Sequence, residues 1–216
     1  MAGLTLAEEL ALLAYDDESG KQVGGMFVPY GLGGALLAEL ALLHRIDLAE
    51  NRVTVTDPSP TGDALLDGAL NRIAANPGRR ASRWVDLLRK GAERAVLDRL
   101  VGSGHLRREE GRALLVVPVT RYPAAGGTAE RDVRRRLADA VRPGSSPDQR
   151  TVALALLAHA CRMDAQAFPG VDRKALRSRL DELAAGDWAA QATRRAVELV
   201  RAALLSAATS GGASGS

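Results

Sequence analysis

Leucines recur at intervals of three or four residues along the chain, and this spacing constrains the fold more than any other feature. The first two sets are Leu6, Leu10 and Leu13, and Leu32, Leu36, Leu40 and Leu43. Such intervals place one side chain per turn on the same face of an α-helix. Aromatic residues are only 3% of the chain and β-branched residues are sparse, so helix propensity exceeds strand propensity. The sequence therefore predicts a mainly α fold, a compact helical domain around a central apolar helix bundle, with two short β-hairpins.

Capping residues set the expected limits of the helices. Thr5 and Glu8 have capping-box spacing, so the first helix is expected to run to about Tyr15. A Gly-containing connector is expected over residues 21–30, before the second helix. Four further residues are predicted to cap later helices: Thr61, Thr128, Asp172 and Asp187. The run 152–161 is apolar nearly all round, so it is the expected central core helix.

Two stretches have the pattern of β-hairpins. Residues 46–48 and 53–55 alternate apolar and polar side chains around Glu50-Asn51, so we expect a short hairpin there. The second hairpin is expected to pair residues 105–108 with 112–120 and to turn at 109–111. Its second strand contains four consecutive apolar residues: Leu114, Leu115, Val116 and Val117.

The length of 216 residues fits a single domain, which we expect to span residues 1–208. Residues 209–216 are Gly/Ser-rich and are expected to be a disordered tail. The longest apolar stretches fall far short of the roughly 20 residues that cross a bilayer, and acidic Glu8 and Glu9 interrupt the first apolar run, unlike in a signal peptide. We therefore expect a cytoplasmic protein whose single cysteine, Cys161, is a reduced and packed thiol.

The net charge of +3 conceals two halves of opposite charge. Residues 1–78 hold 4 Lys/Arg and 11 Asp/Glu, a balance of −7, whereas residues 79–216 hold 25 and 15, a balance of +10. A basic half suggests an anionic partner such as a lipid surface or a nucleic acid, although Arg-rich solvated helices are also common in GC-rich bacterial genomes. No interleaved aromatic residues or recognised nucleic-acid-binding motif accompany the charge, so nucleic acid is the weaker interpretation.

The chain has no recognisable catalytic or metal-binding pattern. His44, His105 and His159 are scattered without metal-ligand spacing. The glycines within residues 31–34 do not follow a predicted strand, as they would in a nucleotide-binding loop, and are interpreted as packing residues. Helix capping explains the acidic stretch 57–67. We therefore expect no enzymatic activity, no metal and no cofactor.

The feature that is hardest to explain as plain structure is an apolar strand between basic helices. Arginines cluster in residues 89–99 and 131–136, on either side of 114–117 in the sequence. Apolar side chains beside guanidinium groups suit a membrane interface, where each Lys or Arg contributes about 1 kcal/mol near anionic lipid. On the residues alone, a buried strand is the favoured interpretation of 114–117.

Five segments resemble the Golgi phosphoprotein 3 family, in the same order along the chain. They are LTLAEELALL (4–13), YGLGGALLAELALLHRIDL (30–48), DPSPTGDALLDGALNRI (57–73), VGSGHL (101–106) and ALALLAHACRM (153–163). The resemblance covers nearly the whole chain, from Leu4 to about Ala207, and implies a helical fold with a central bundle.

The resemblance also implies a function and a site. Eukaryotic members of the family are peripheral Golgi membrane proteins that bind phosphatidylinositol 4-phosphate in a basic pocket, while a hairpin inserts into the bilayer. By this similarity, Arg89, Lys90 and Arg94 are the expected phosphate contacts. The expected inserting residues are Leu114, Leu115, Val116 and Val117.

Two pocket residues of the family differ in this chain. The family's Arg corresponds to Gly33 here, and the family's Trp corresponds to a position near Gly24. General binding of an anionic phospholipid membrane surface is therefore the expected function, and a protein partner is a further expectation. The alternative is a soluble helical scaffold or adaptor that binds another protein without lipid. The Ala/Arg-rich composition is typical of a high-GC bacterium.

Overall fold

The computed structural model describes residues 3–113, 117–185 and 198–199. The described helices are α1 Leu6–Ala14, α2 Phe27–Leu42, α3 Ala64–Ala74, α4 Ala81–Gly102, α5 Ala129–Ala140, α6 Gln149–Ala160, α7 Asp164–Ala167 and α8 Arg173–Ala185. The strands are β1 Ile46–Ala49, β2 Arg52–Val55, β3 Glu109–Ala113 and β4 Val117–Arg121, in two antiparallel hairpins. The predicted mainly α fold with two short hairpins is confirmed.

Helix α2 lies at the centre of the bundle and contacts α1, α3, α4 and α6. Its residues are buried on every face from Tyr30 to Ala41. Helix α6, the predicted core helix, packs beside it and is buried along most of its length, so the two helices share the centre. The expected connector over 21–30 was wrong in its second half, because α2 begins at Phe27. Pro29 is compatible with this start since it lies in the first turn, where its missing N–H is not needed.

Helix α1 begins with the predicted capping box. The Thr5 amide donates to Glu8 Oε2 at 2.8 Å, and the Glu8 amide donates to Thr5 Oγ1 at 3.3 Å. The helix ends at Ala14, beside the predicted limit at Tyr15. These contacts satisfy amides that have no partner inside the helix.

Two of the predicted caps were wrong and one is confirmed. Asp63, not Thr61, caps α3 by accepting from the amides of Leu65 and Leu66 at 2.9 and 3.1 Å. Thr128 has a helical backbone and its side chain makes no capping bond. Asp172 accepts from two amides of the first turn of α8, both at 3.0 Å, as predicted. Asp187 and the tail 209–216 lie outside the described residues.

The first hairpin is confirmed, and the turn of the second was misplaced. Strands β1 and β2 pair from Ile46 opposite Val55, and Glu50 and Asn51 have φ of +49° and +60° in the connecting turn. In the second hairpin, residues 109–111 belong to β3 rather than to a turn. The register closes with Ala113 opposite Val117, so residues 105–108 are not the pairing strand.

Helix α4 consists of two helical runs. The runs meet at Lys90 and Gly91, which have ψ of 110° and φ of +83° respectively. Glycine adopts this left-handed backbone without a steric penalty.

Within the described residues, no helix combines the length and the apolar character that crossing a bilayer requires.

Candidate functional site

Arg89 lies at the end of the first run of α4, against the start of α2. Its guanidinium Cζ is 4.4 Å from the centre of the Tyr30 ring, a cation–π contact. The Tyr30 side chain is buried, and it provides a rigid platform for the arginine. Arg89 Nε is 3.6 Å from Asp86 Oδ1, which is too long for a hydrogen bond. The guanidinium therefore keeps donors for another acceptor.

The other two predicted phosphate contacts have different surroundings. Lys90 is exposed and lies at the break in α4. Arg94 lies in the second run, where its side chain is 87% exposed and its Nε is 3.7 Å from Asp98 Oδ2. The structure thus places Arg89 and Arg94 on opposite sides of the break, with Lys90 at the break itself.

A cavity of about 270 Å³ opens beside this break. Its walls are apolar side chains and glycines from α2, α3 and α4, and its two cationic lining residues are Arg72 and Lys90. Arg72 Nη2 donates to the carbonyl of Leu87 at 3.3 Å, just before the break. Arg72 was not among the predicted site residues because it belongs to a different helix, in the acidic half of the chain.

Gly24 and Gly33, the glycines expected at the family's pocket positions, have backbone atoms of other segments close by. A Cβ on Gly33 would lie 2.8 Å from the carbonyl oxygen of Val85 and 3.1 Å from the amide nitrogen of Arg89. Gly24 has φ of +81°, and a Cβ there would lie 2.8 Å from the carbonyl oxygen of Cys161. Neither position accepts a side chain without a backbone shift. The packing interpretation of Gly33 is confirmed.

The second hairpin is largely exposed where its side chains are described. Four arginines lie on or beside it: Arg107, Arg108, Arg112 and Arg121. All four are exposed, and among the described residues neither strand packs extensively against a helix. Of the predicted inserting residues, Leu114, Leu115 and Val116 lie outside the described residues. Val117 is the first residue of β4, opposite Ala113, and its side chain is not among those described.

A chain of contacts joins the base of this hairpin to α4. The ring centres of Tyr122 and Tyr15 are 5.3 Å apart in an edge-to-face arrangement. The Tyr15 hydroxyl donates to Glu93 Oε1 at 2.8 Å, and the Gln22 side chain also donates to that carboxylate. Burial, and then the Glu93 charge, raise the pKa of Tyr15, so the phenol stays protonated as a donor. Gly20 contributes its carbonyl to the Tyr122 amide at 2.9 Å.

Much of the basic half is neutralised inside the protein. Arg136 Nη2 is 2.6 Å from Glu9 Oε1, Arg150 Nε is 3.4 Å from Glu9 Oε2, and Arg134 Nη1 is 3.3 Å from Asp17 Oδ2. Burial raises the pKa of Glu9, and the two arginines oppose that rise. The interpretation of 131–136 as part of an outward basic surface was therefore wrong for Arg134 and Arg136, because they pair with the acidic half.

Glu130 makes a second buried carboxyl site in the first turn of α5. Burial, and then a hydrogen bond shared with Asp17, raise the pKa of Glu130 to about 8. The Arg134 guanidinium contacts both carboxyl groups. Asp17 and Glu130 line a cavity of about 340 Å³ together with His105. Sequence reasoning missed this site because its acids are far apart in the chain.

The remaining polar candidates have structural partners. His159 Nδ1 is 2.9 Å from Asp164 Oδ1, and the His159 side chain is half-buried. Cys161 is buried, and burial raises the pKa of its thiol to about 12. In the described ranges, no three His, Cys, Asp or Glu side chains group in a way that could hold a metal ion.

Known proteins resemble this chain over most of its length. A model of the Golgi phosphoprotein 3 family matches residues 6–200. Vacuolar protein sorting-associated protein 74 of Eremothecium gossypii is 30% identical over 166 residues, which cover 65% of this chain and 50% of that protein. The protein of the same name from Schizosaccharomyces pombe is 28% identical over 223 residues. The match covers 83% of this chain and 66% of the Schizosaccharomyces pombe protein. The chain thus spans about half to two thirds of the length of these relatives.

Proposed function

Because the chain belongs to the Golgi phosphoprotein 3 family, we propose that it is a peripheral membrane protein on a cytoplasmic surface. It binds anionic phospholipid head groups, phosphatidylinositol 4-phosphate-like by family resemblance, through basic residues and the second hairpin. Its role is binding rather than catalysis, in keeping with the sorting function in the names of its relatives. A bacterial source stays a prediction from composition.

One observation carries the proposal: the exposed, arginine-rich second hairpin is joined at its base to the helix that holds the phosphate-contact candidates. Tyr122 contacts Tyr15, and Tyr15 binds Glu93, the neighbour of Arg94. The hairpin arginines make at most exposed pairs with Glu109 and Glu110, at 3.6 and 3.1 Å, which water and salt weaken. Their charge is therefore available to an external anion.

The proposed mechanism combines two weak terms. Arg89, Lys90, Arg94 and the hairpin arginines meet lipid phosphates, and each contributes about 1 kcal/mol near an anionic surface. Leu114, Leu115, Val116 and Val117 enter the acyl region, where each buried side chain contributes at most roughly 1.5–3 kcal/mol. Together they give reversible attachment. The glycines at 24 and 33 support recognition by charge more than by a specific head-group pocket.

Vesicle sedimentation tests the proposal. The whole chain is mixed with vesicles of phosphatidylcholine alone, or with added phosphatidylserine, at low and high salt. We expect binding to the anionic vesicles only, weakened by salt. We expect weaker binding in a triple variant that combines R89Q, K90Q and R94Q. We also expect it in a separate double variant that combines R112Q and R121Q. The control R173Q with R177Q changes two exposed arginines of α8. Absence of binding to anionic vesicles at low salt, or equal loss in the control, would overturn the proposal.

The second candidate function is a soluble helical adaptor that binds another protein without lipid. The sorting role in the names of both relatives favours it. Gel filtration and circular dichroism of a chain with residues 112–118 replaced by Gly and Ser separate the two. A folded protein that no longer binds vesicles supports the membrane role. Unfolding on replacement would place residues 114–117 in the core and favour the adaptor.

A further inference from the structure

The base of the second hairpin, residues 122–125, is held from two sides by backbone contacts. On one side it pairs with the segment before β3. On the other side the Tyr122 amide donates to the Gly20 carbonyl at 2.9 Å. The Ala124 amide donates to the Asp17 carbonyl at 3.0 Å. These last two bonds fix the hairpin base to the connection between α1 and α2.

Asp17 has a second role, because its side chain meets Glu130 of α5 beside the hairpin base. The two side chains share a hydrogen bond, and together with Ala124 they line the cavity of about 340 Å³. Only 9% of the Glu130 side chain is exposed. Asp17 Oδ1 is buried and accepts no hydrogen bond from an N–H or a hydroxyl of the described residues. A proton on Glu130 supplies a donor that the two carboxyl groups can share.

One buried arginine serves both acids. Arg134 Nη1 is 3.3 Å from Asp17 Oδ2, and the same guanidinium contacts Glu130. Arg131 also lines the cavity, but it is exposed, so water screens its charge. Ionisation of Glu130 therefore places a second negative charge beside Asp17 with Arg134 as its main counter-charge. Burial, and then the hydrogen bond with Asp17, raise the pKa of Glu130 and oppose that ionisation.

The groups around Glu130 come from several elements. The charged and titratable ones are Asp16 and Asp17 between α1 and α2, His105 before β3, and Arg131 and Arg134 on α5 itself. Helix α1, which packs against α5, lines the cavity with the apolar Leu12. Ionisable side chains on α1, α6 and α7 are paired elsewhere: Glu9 with Arg136 and Arg150, and His159 with Asp164.

We propose that Asp17 and Glu130 form a proton-controlled switch for the second hairpin. While Glu130 keeps its proton, the pair holds the α1–α2 connection in place and the hairpin base stays on the bundle. Loss of the proton drives the two carboxylates apart and admits water to the cavity, which breaks the bond from the Ala124 amide to the Asp17 carbonyl. The inference goes beyond the proposed function and rests on it only for the effect on membrane binding.

The two pKa values of Glu130 set the direction and the pH range. The pKa is about 8 with the hairpin base in place, and 4.5 is the ordinary value, to which an open and hydrated cavity returns it. The closed state therefore holds a proton that the open state releases, so opening becomes more favourable as pH rises from 4.5 to about 8. A full return to the ordinary value raises the opening equilibrium about a hundredfold between about pH 6 and about pH 9.

Hydrogen exchange of the whole chain at these two pH values tests the switch. After correction for the intrinsic pH dependence of exchange, we expect the protection of the Tyr122 and Ala124 amides to fall by about tenfold or more. E130Q carries no charge and keeps a donor, so it should retain the protection at the higher pH. D17N removes the other charge and should weaken the response. H105Q and E182Q are controls that should keep it.

The exchange results can overturn the switch in three ways. The protection in the unsubstituted chain may not change with pH, the response may persist undiminished in E130Q and D17N, or H105Q may abolish it. Circular dichroism checks that each variant is folded. If E130Q does not fold, the response of D17N decides between the outcomes.

Vesicle sedimentation at the same two pH values measures the consequence for binding. We expect phosphatidylserine vesicles to bind the unsubstituted chain more weakly at the higher pH, and E130Q to remove most of that difference. If the chain binds no vesicles while the exchange response depends on Glu130, the membrane proposal fails and the switch stands. If the chain binds vesicles while the protection of the hairpin base is independent of pH, the switch alone fails.

Discussion

Tyr15 at the end of α1 donates a hydrogen bond to Glu93 in the second run of α4, over 2.8 Å. The same tyrosine packs edge-to-face on Tyr122 at the base of the second hairpin. One side chain thus fixes the hairpin base to the bundle and orients the carboxylate beside Arg94. The contact joins residues 78 positions apart, so the whole fold is needed to form it.

Substitution of Tyr15 by phenylalanine removes this hydroxyl and keeps the ring. We expect Y15F to lose about 1–1.5 kcal/mol of unfolding free energy, because Glu93 keeps only its bond from Gln22. Urea denaturation measures the change. Y122F is the control, since no hydrogen bond of the Tyr122 hydroxyl is seen among the described residues. Equal losses in the two variants would show that the cost does not come from the Tyr15–Glu93 hydrogen bond.

Elements set by local rules were predictable from the sequence. The capping box of α1, the Glu50-Asn51 turn and the apolar run of α6 depend on residues within a few positions of one another. The start of α2 was missed because Gly and Pro before Tyr30 look like a connector, whereas tertiary packing extends the helix to Phe27.

The site was predictable only in part. Arg89 was identified, but its stacking on Tyr30 involves helices far apart in the chain. The opposite charges of the two halves suggested an external anionic partner. Composition alone could not distinguish that from ion pairs between the two halves. Arg136 binds Glu9 across 127 positions, so much of that charge is used internally.

The close approach of α2 and α4 at Gly33 predicts opposite effects for two glycine-to-alanine changes. G33A should cost about 1–3 kcal/mol, because its methyl group would press on the Val85 carbonyl at 2.8 Å. G68A, on the exposed face of α3 with nothing within 4 Å, should gain about 0.5–1 kcal/mol from helix propensity. Thermal or urea unfolding compares them. A neutral G33A would show that the helices separate easily, and that an arginine could be accommodated there.

The buried Glu130 predicts a stability that falls as pH rises. Its pKa is about 8 in the folded protein and 4.5 as the ordinary value, so the folded state holds a proton that the unfolded chain releases. This contribution is complete below pH 4.5 and is lost as pH rises to about 8. E130Q should flatten the slope of unfolding free energy over that range. The control E182Q changes an exposed glutamate of α8, and an equally flattened slope in it would contradict the assignment.

Arg150 binds two buried carboxylates, and its removal should be costly. It lies 3.4 Å from Glu9 Oε2, pairs with Glu39, and donates to the Leu4 carbonyl at 2.6 Å. R150M leaves both acids without this partner, so we expect a loss of about 3 kcal/mol in urea unfolding. R142M is the control, since the exposed pair of Arg142 with Asp139 should be worth less than about 1 kcal/mol. Adding E39Q to R150M should recover part of the loss, and no recovery would place the cost elsewhere.

The close contacts around Gly20 allow a test of whether the position of the second hairpin matters for membrane binding. Its φ is +61°, and a Cβ would lie 2.5 Å from the Pro123 nitrogen and 2.6 Å from the Tyr122 nitrogen. G20A must therefore displace the hairpin base. Gly25 has a similar φ of +53° with open space around it, so G25A carries the backbone strain alone. We expect G20A to be less stable than G25A by about 1–3 kcal/mol and to bind anionic vesicles more weakly, with helix content unchanged in circular dichroism. If G20A is destabilised but sediments with vesicles as G25A does, the placement of the hairpin by the bundle is not what membrane binding requires.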